Sequence, residues 1–141
     1  MKKLLLVTFF AAGCSGSSSG PSLFDVPADP NADSTSVYGV WAGSMTEGST
    51  HAEVRVRIAQ DSFEAADRCH FADGSTQTAD AAASASVDPS AVSVTGSGDG
   101  AAGSGDDLCS IHLTPQEIHY SLLGGQLTLF ELSLDLVKVS D

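Results

Sequence analysis

Short segments in which apolar and polar residues alternate run from about residue 37 to the C-terminus. In the segment 50–59, Val54, Val56 and Ile58 fall on one side, and charged residues fall on the other. A period of two is typical of a half-buried β-strand. Similar segments occupy 37–42, 62–71, 92–94, 108–113 and 118–136. Because these segments are short and turn residues separate them, the sequence predicts an all-β fold, an antiparallel small barrel or sandwich.

The segment 78–87 fits two structures. Alanines stand at positions 79, 81, 83 and 85. An alanine-rich helix is one interpretation, and a strand with small inward side chains is the other. The interspersed serines and the Asp88-Pro89 turn that follows favour the strand.

The clearest local pattern lies between residues 118 and 129. Gly124-Gly125 supplies the positive φ angles that a two-residue hairpin turn requires. Pairing Leu123 with Gln126 places Leu122 opposite Leu127 and Tyr120 opposite Leu129, so the apolar faces match. The apolar phase then changes to even positions, which predicts a bend or bulge near residues 130–131.

The N-terminus carries the pattern of an export signal. Lys2 and Lys3 precede an apolar run from Leu4 to Ala12, which is too short to span a bilayer. The sequence Ala11-Ala12-Gly13-Cys14 resembles the lipobox of bacterial lipoproteins, in which the signal peptide is removed and the cysteine is acylated. The resemblance implies a signal peptide at 1–13 and a lipid anchor at Cys14. Ser15, the residue after the cysteine, implies sorting to the outer membrane. An ordinary secretory peptide with an incidental Cys14 is the alternative.

Two segments have the composition of disordered chain. Residues 14–36 are rich in Ser, Gly, Pro and Asp, so we expect a flexible tether between the lipidated cysteine and a domain at 37–141. Only Leu23, Phe24 and Val26 interrupt this polarity, and we expect weak docking or none. Residues 96–107 are rich in Gly and Asp and predict a disordered loop, with loose binding of Ca²⁺ as the alternative.

Charge excludes some partners. The chain carries 6 Lys and Arg against 18 Asp and Glu. Removal of the signal peptide takes away two of the lysines and leaves a net charge of −14. Such a surface disfavours nucleic acid and electrostatic attraction to anionic lipid, so we expect contact with the membrane through the lipid anchor alone.

The segment Gly39-Val40-Trp41, followed by Gly43, resembles the Gly-x-Trp signature of lipocalin-like barrels. The segment from Tyr120 to Phe130 is also similar to the penultimate hairpin of small bacterial lipocalin-like lipoproteins. The resemblance implies a small β-barrel whose floor is closed by Trp41. In that family an Arg stacks on this Trp, and no motif containing such an Arg is recognisable here. A simple core role for Trp41 is the alternative.

Two cysteines remain besides Cys14. Cys69 and Cys109 fall on the predicted inward faces of their strands, and an exported protein favours a disulfide between them. A zinc site formed with His70 and His112 is the alternative. Adjacent strand residues point to opposite faces, however, so Cys69 and His70 converge poorly on one ion.

These observations leave two functional classes. The first is a carrier of a small apolar ligand, with a cavity beside Trp41, Phe63, Phe71, Ala83 and Tyr120. The second is an envelope structural or protein-interaction module with a filled core. The sequence contains no recognisable catalytic arrangement and predicts no enzyme activity, cofactor or metal.

Overall fold

A computed structural model describes residues 21–141; the signal peptide predicted at 1–13 and Cys14 lie outside them. Ten strands follow one another: β1 (Gly39–Glu47), β2 (Thr50–Ile58), β3 (Ser62–His70), β4 (Thr76–Val87), β5 (Ala91–Val94), β6 (Gly98–Ala102), β7 (Cys109–Leu113), β8 (Gln116–Leu123), β9 (Gln126–Leu129) and β10 (Leu134–Ser140). Two single-turn 3₁₀ helices, Leu23–Asp25 and Gly105–Asp107, accompany them. Residues 21–141 contain no helix with the length and hydrophobicity needed to cross a bilayer.

Eight of the strands close into an antiparallel barrel, in the order β1-β10-β9-β8-β5-β4-β3-β2. This confirms the predicted all-β class and selects the barrel over the sandwich. The architecture is that of a small lipocalin-like barrel. Closure pairs every barrel strand on both sides over part of its length and leaves few free edges.

The hairpin β8–β9 has the predicted register. Leu123 pairs with Gln126, Leu122 with Leu127 and Tyr120 with Leu129. The predicted bend is a turn over residues 130–133, where Ser133 has a φ of 52°. One detail differs, because Phe130 was expected on the apolar face and is 55% exposed.

The alanine-rich segment is the strand β4 and not a helix. Its pairing with β3 sets Ala83 against Phe63 and Ala81 against Ala65. The odd-numbered alanines face inward, and Ala81, Ala83 and Ala85 join the main core. Small residues in β4 therefore stand opposite a large aromatic residue of β3, and this pairing of small with large suits a filled interior.

The Gly/Asp-rich segment 96–107 is not the disordered loop that its composition predicts. Residues Gly98–Ala102 form β6, which pairs with β7 in a separate two-stranded sheet, here called the ribbon. A Cβ atom at Gly98 or Gly100 would overlap the carbonyl oxygens of Ala82 and Asp80 on β4. The glycines therefore serve close packing of two backbones, a role that composition alone does not distinguish from disorder.

The described part of the predicted tether, residues 21–36, lies on the barrel and is here called the strap. Leu23 is 5% exposed, and the 3₁₀ helix that contains it contacts the outer face of β2 and β3. The Phe24 ring centroid lies 4.3 Å from the guanidinium carbon of Arg68 and 5.8 Å from that of Arg55. Further along, the Asp29 amide donates to the carbonyl of Val139 at 2.7 Å. Apolar burial, cation–π contacts and backbone hydrogen bonds thus hold a segment for which weak docking or none was expected.

Candidate functional site

Four of the five residues expected around one ligand cavity lie in or against the main core, and Phe71 lies apart from them. Trp41, Phe63 and Ala83 belong to the main core of the barrel. Phe71 is half-buried and packs against a smaller apolar cluster near the ribbon. Tyr120 is half-buried and also faces a groove between the strap and the β8–β9 hairpin. The structure therefore gathers four of the expected residues at one core and separates Phe71 from them.

Trp41 is held by polar contacts from two parts of the chain. Its indole Nε1 donates to the carbonyl of Val37 at 2.9 Å. The ammonium of Lys138, on β10, lies 4.8 Å from the centroid of the Trp41 ring system. The same ammonium donates to the carbonyl oxygens of Ser36 and Tyr38 and pairs with Asp141 at 3.3 Å.

Lys138 thus supplies a cation over the tryptophan ring, a place that an Arg takes in the lipocalin-like family. Sequence analysis missed it because Lys138 lies in no recognisable motif. Its alternation with Leu134 and Leu136 on the inward face was the available signal.

The barrel interior is filled around Trp41. A side chain that lines a void large enough for water keeps accessible surface toward that void. The largest core side chains keep almost none: Trp41, Phe63, Ile118, Leu127, Leu129 and Leu136 are each 0% exposed. The packing around these residues therefore contains no void of water size.

The ribbon end of the barrel is held by the disulfide. Cys69 on β3 and Cys109 on β7 are joined with an S–S distance of 2.05 Å, which confirms the predicted bridge. Both sulfurs are thereby engaged, so the zinc site considered as the alternative is wrong. Within residues 21–141, no group of three or more His, Cys, Asp and Glu side chains is arranged to hold a metal ion.

The disulfide lies in a second apolar cluster of small side chains: Ala52, Cys69, Ala79 and Cys109. Met45, Phe71 and Ile111 pack against this cluster and are only partly buried. The amide of Cys109 also donates to the side chain of Gln77, at 3.2 Å. These contacts attach the ribbon to the inner side of β3 and β4.

Asp67 is the charged residue on this inward face. On β3 it pairs with Val54 and Ala79, in the same phase as Phe63, Ala65 and Cys69. Burial raises the pKa of its carboxyl from 3.8 to about 6. No ion pair or side-chain hydrogen bond with another residue of the described chain compensates this burial. Asp67 was not among the predicted site residues. A carboxylate among the apolar inward residues of a strand was nevertheless a signal that could have identified it.

Two open grooves lie at the opposite end, on either side of Tyr38. One, of about 470 Å³, is lined by residues 34–38, where the strap joins the barrel, and by Pro89, Tyr120, Leu122, Gly124 and Gly125. The other, of about 530 Å³, is lined by Tyr38, Gly39, residues 57–60 and Asp141. Tyr120 is anchored by its hydroxyl, which donates to the carbonyl of Asp88 at 2.8 Å. The first groove lies beside Tyr120, and both grooves are concave surfaces outside the packed interior.

The histidines lie on the surface beside carboxylates. His119 contacts Glu131 at 2.7 Å and Glu117 at 3.0 Å, and its hydrogen bond with Glu131 raises its pKa. His70 contacts Glu53 at 2.8 Å, and this hydrogen bond lowers the pKa of Glu53. Such pairs contribute little to stability because solvent screens them. The first contact stabilises the protonated form of His119 and the second stabilises the ionised form of Glu53, and neither contact identifies a reaction.

Comparison of the chain with protein-family models, curated proteins and solved structures gave no match.

Proposed function

We propose that this protein is a lipid-anchored envelope protein whose barrel is a non-catalytic structural or protein-interaction module. The observation that carries this proposal is the close packing around Trp41 and Phe63. Trp41 and Phe63, expected to border a ligand, are 0% exposed. A barrel of eight strands has room for its side chains or for one small ligand, and here side chains take that room around Trp41.

Surface features support an interaction role. The open grooves flank Tyr38, which is 42% exposed. Tyrosine is common at protein interfaces because it combines an apolar ring with a polar hydroxyl. The partner remains unspecified in this proposal, and the acidic surface excludes nucleic acid from it.

A carrier of a small apolar ligand is the second candidate. The inward alanines of β4 favour it, since Ala79, Ala81, Ala83 and Ala85 each leave out volume that larger side chains would fill. A carrier would need the barrel to expand or a side chain to move before the ligand could enter. The filled packing around Trp41 makes this the weaker candidate.

One substitution distinguishes the two candidates. Ala83→Phe adds a ring to a packed core, and we expect overpacking to cost about 1–3 kcal/mol of unfolding free energy. Ala82→Phe is the matched control, because Ala82 precedes Ala83 on β4 and its side chain is exposed. We expect N-phenyl-1-naphthylamine, an uncharged apolar fluorophore, to leave the fluorescence of Trp41 unchanged. Saturable quenching that Ala83→Phe abolishes without unfolding the barrel would establish the carrier instead.

The anchor has its own test. In bacteria that process lipoproteins, radiolabelled palmitate should label the wild-type chain and not Cys14→Ser. Membrane fractionation should then find the wild type with the outer membrane. An unlabelled wild-type chain would reject the lipid anchor and leave the interaction role of the barrel intact.

A further inference from the structure

We propose that the ribbon end of the barrel is a binding site for a small organic cation, an ammonium group on an apolar body, with the Asp67 carboxylate as its counter-charge. This inference goes beyond the proposed interaction role. It concerns the layer next to that of Trp41 on the ribbon side, where Asp67 lies two residues beyond Ala65 on β3 and small side chains replace the large ones.

Asp67 forms no ion pair with another residue of the described chain. Apolar partners stand on both sides of it, Val54 on β2 and Ala79 on β4. The backbone carbonyl of Asp67 lies 3.8 Å from the sulfur of Cys109, so the ribbon crosses close to this position. Burying a carboxylate without a cation costs free energy that the fold does not recover from another residue. An unpaired carboxylate in such a place is a candidate functional group.

The charged groups nearest in the fold do not neutralise Asp67. On β2, Glu53 and Arg55 occupy the outer phase, opposite to the inward Val54. On β3, Arg68 and His70 likewise point outward, where Arg68 contacts Phe24 and His70 contacts Glu53.

The other two elements packed here supply no cation either. On β4, Asp80 is exposed and stands in the outer phase between two inward alanines. On the ribbon, His112 is exposed and pairs with Asp99 on β6. Within residues 21–141 no cation is therefore paired with Asp67, and we infer that a ligand supplies the positive charge.

Asp67 is partly exposed to solvent and has apolar side chains around it. Asp67 is only half-buried, in contrast to Ala66 and Cys69, which are 0% and 8% exposed. Met45 and Ile111 pack against both apolar clusters and remain partly exposed. Because Asp67 keeps part of its surface exposed, we infer that an ammonium group approaches the carboxylate from solvent and that its apolar body lies against these side chains. A fatty acid would instead place two negative charges together, so the site discriminates by charge.

Octyltrimethylammonium and octanoate, used below their micellar concentrations, test the site by isothermal titration on the disulfide-bonded chain. Both carry eight-carbon chains and have opposite charges. We expect the ammonium to bind at least tenfold more tightly than octanoate. Asp67→Asn should weaken the ammonium at least tenfold, whereas Asp61→Asn, an exposed turn carboxylate at the other end of the barrel, should leave its affinity unchanged.

The pH dependence gives a second measurement on the unmodified chain. Lowering the pH from 7.5 to 5 should weaken binding of the ammonium, because the Asp67 carboxylate takes up a proton. Equal affinity for the two probes, an affinity that is constant between these pH values, or unchanged ammonium binding by Asp67→Asn would each overturn the proposal. If Asp67→Asn fails to fold, the charge comparison and the pH series decide.

Discussion

Truncation of Leu23 tests whether the strap is an integral part of the barrel domain. Leu23 is 5% exposed against β2 and β3. Removing a buried leucine side chain to alanine costs about 2–5 kcal/mol in a rigid core. The strap can undock without unfolding the barrel, so the loss cannot exceed the free energy of docking. We therefore expect Leu23→Ala to lower the free energy of strap opening by about 2 kcal/mol, near the lower end of that range.

Native-state hydrogen exchange measures this opening at named amides. The amide of Asp29 donates to the Val139 carbonyl at 2.7 Å, and the amide of Asp33 donates to the Asp141 carboxylate at 2.9 Å. A loss of about 2 kcal/mol corresponds to roughly thirtyfold less protection at these amides. Amides of the β8–β9 hairpin should keep their protection, because the barrel stays closed.

A matched control uses the same residue type on the surface. Leu123 is 82% exposed, so Leu123→Ala should change stability by less than about 0.5 kcal/mol. Unchanged protection of the Asp29 and Asp33 amides in Leu23→Ala would show that burial of Leu23 does not hold the strap on the barrel. The same conclusion would follow if the exposed and buried leucines gave the same result.

Three further changes address the ribbon end. Replacing Cys69 and Cys109 together by Ala should lower the free energy of unfolding, measured by urea titration, by roughly 4 kcal/mol, the chain-entropy value for a separation of 40 residues; an unchanged midpoint would contradict it. Gly100→Ala should loosen the ribbon, because the added methyl group would overlap the Asp80 carbonyl oxygen, and faster amide exchange in β6 and β7 would reveal this. Since burial raises the pKa of Asp67 from 3.8 to about 6, ionisation destabilises the fold increasingly as the pH rises through that interval. Asp67→Asn should therefore be more stable than the wild type at pH 7.5, by up to about 3 kcal/mol, and no more stable below about pH 4; a constant difference across this range would refute the cause.

The hairpin β8–β9 and the strand β4 show what alternation can establish. A period of two assigns each side chain to a face, and two glycines fix the turn, so Tyr120 and Leu129 could be paired before the structure was known. The disulfide followed from the same phase argument, because Cys69 and Cys109 were both expected inward. The local sequence pattern is sufficient to predict strand pairing wherever the partner strand follows directly in the chain.

The strap and the ribbon required information from distant parts of the chain. Leu23 is an isolated leucine in a polar segment, and only the surface of β2 and β3 shows where it is buried. Gly98 and Gly100 have the composition of a loop, and only the backbone of β4 shows why glycine is needed. Asp67 was missed because an apolar face was expected to contain apolar residues alone.

Docking of the strap changes the distance over which a lipid anchor at Cys14 would let the barrel search. A free chain from Cys14 to the first barrel residues would extend up to about 80 Å, at roughly 3.3–3.6 Å per residue. With the strap docked from Pro21 onward, such an anchor would be joined to the strap by seven residues, whose span is about 24 Å at most. The volume that the anchored barrel could reach would fall with the cube of this length, by roughly thirtyfold. With such an anchor, the effective concentration of the barrel toward neighbours in the same membrane would rise by a similar factor, and weaker surface contacts near Tyr38 would then be sufficient for association.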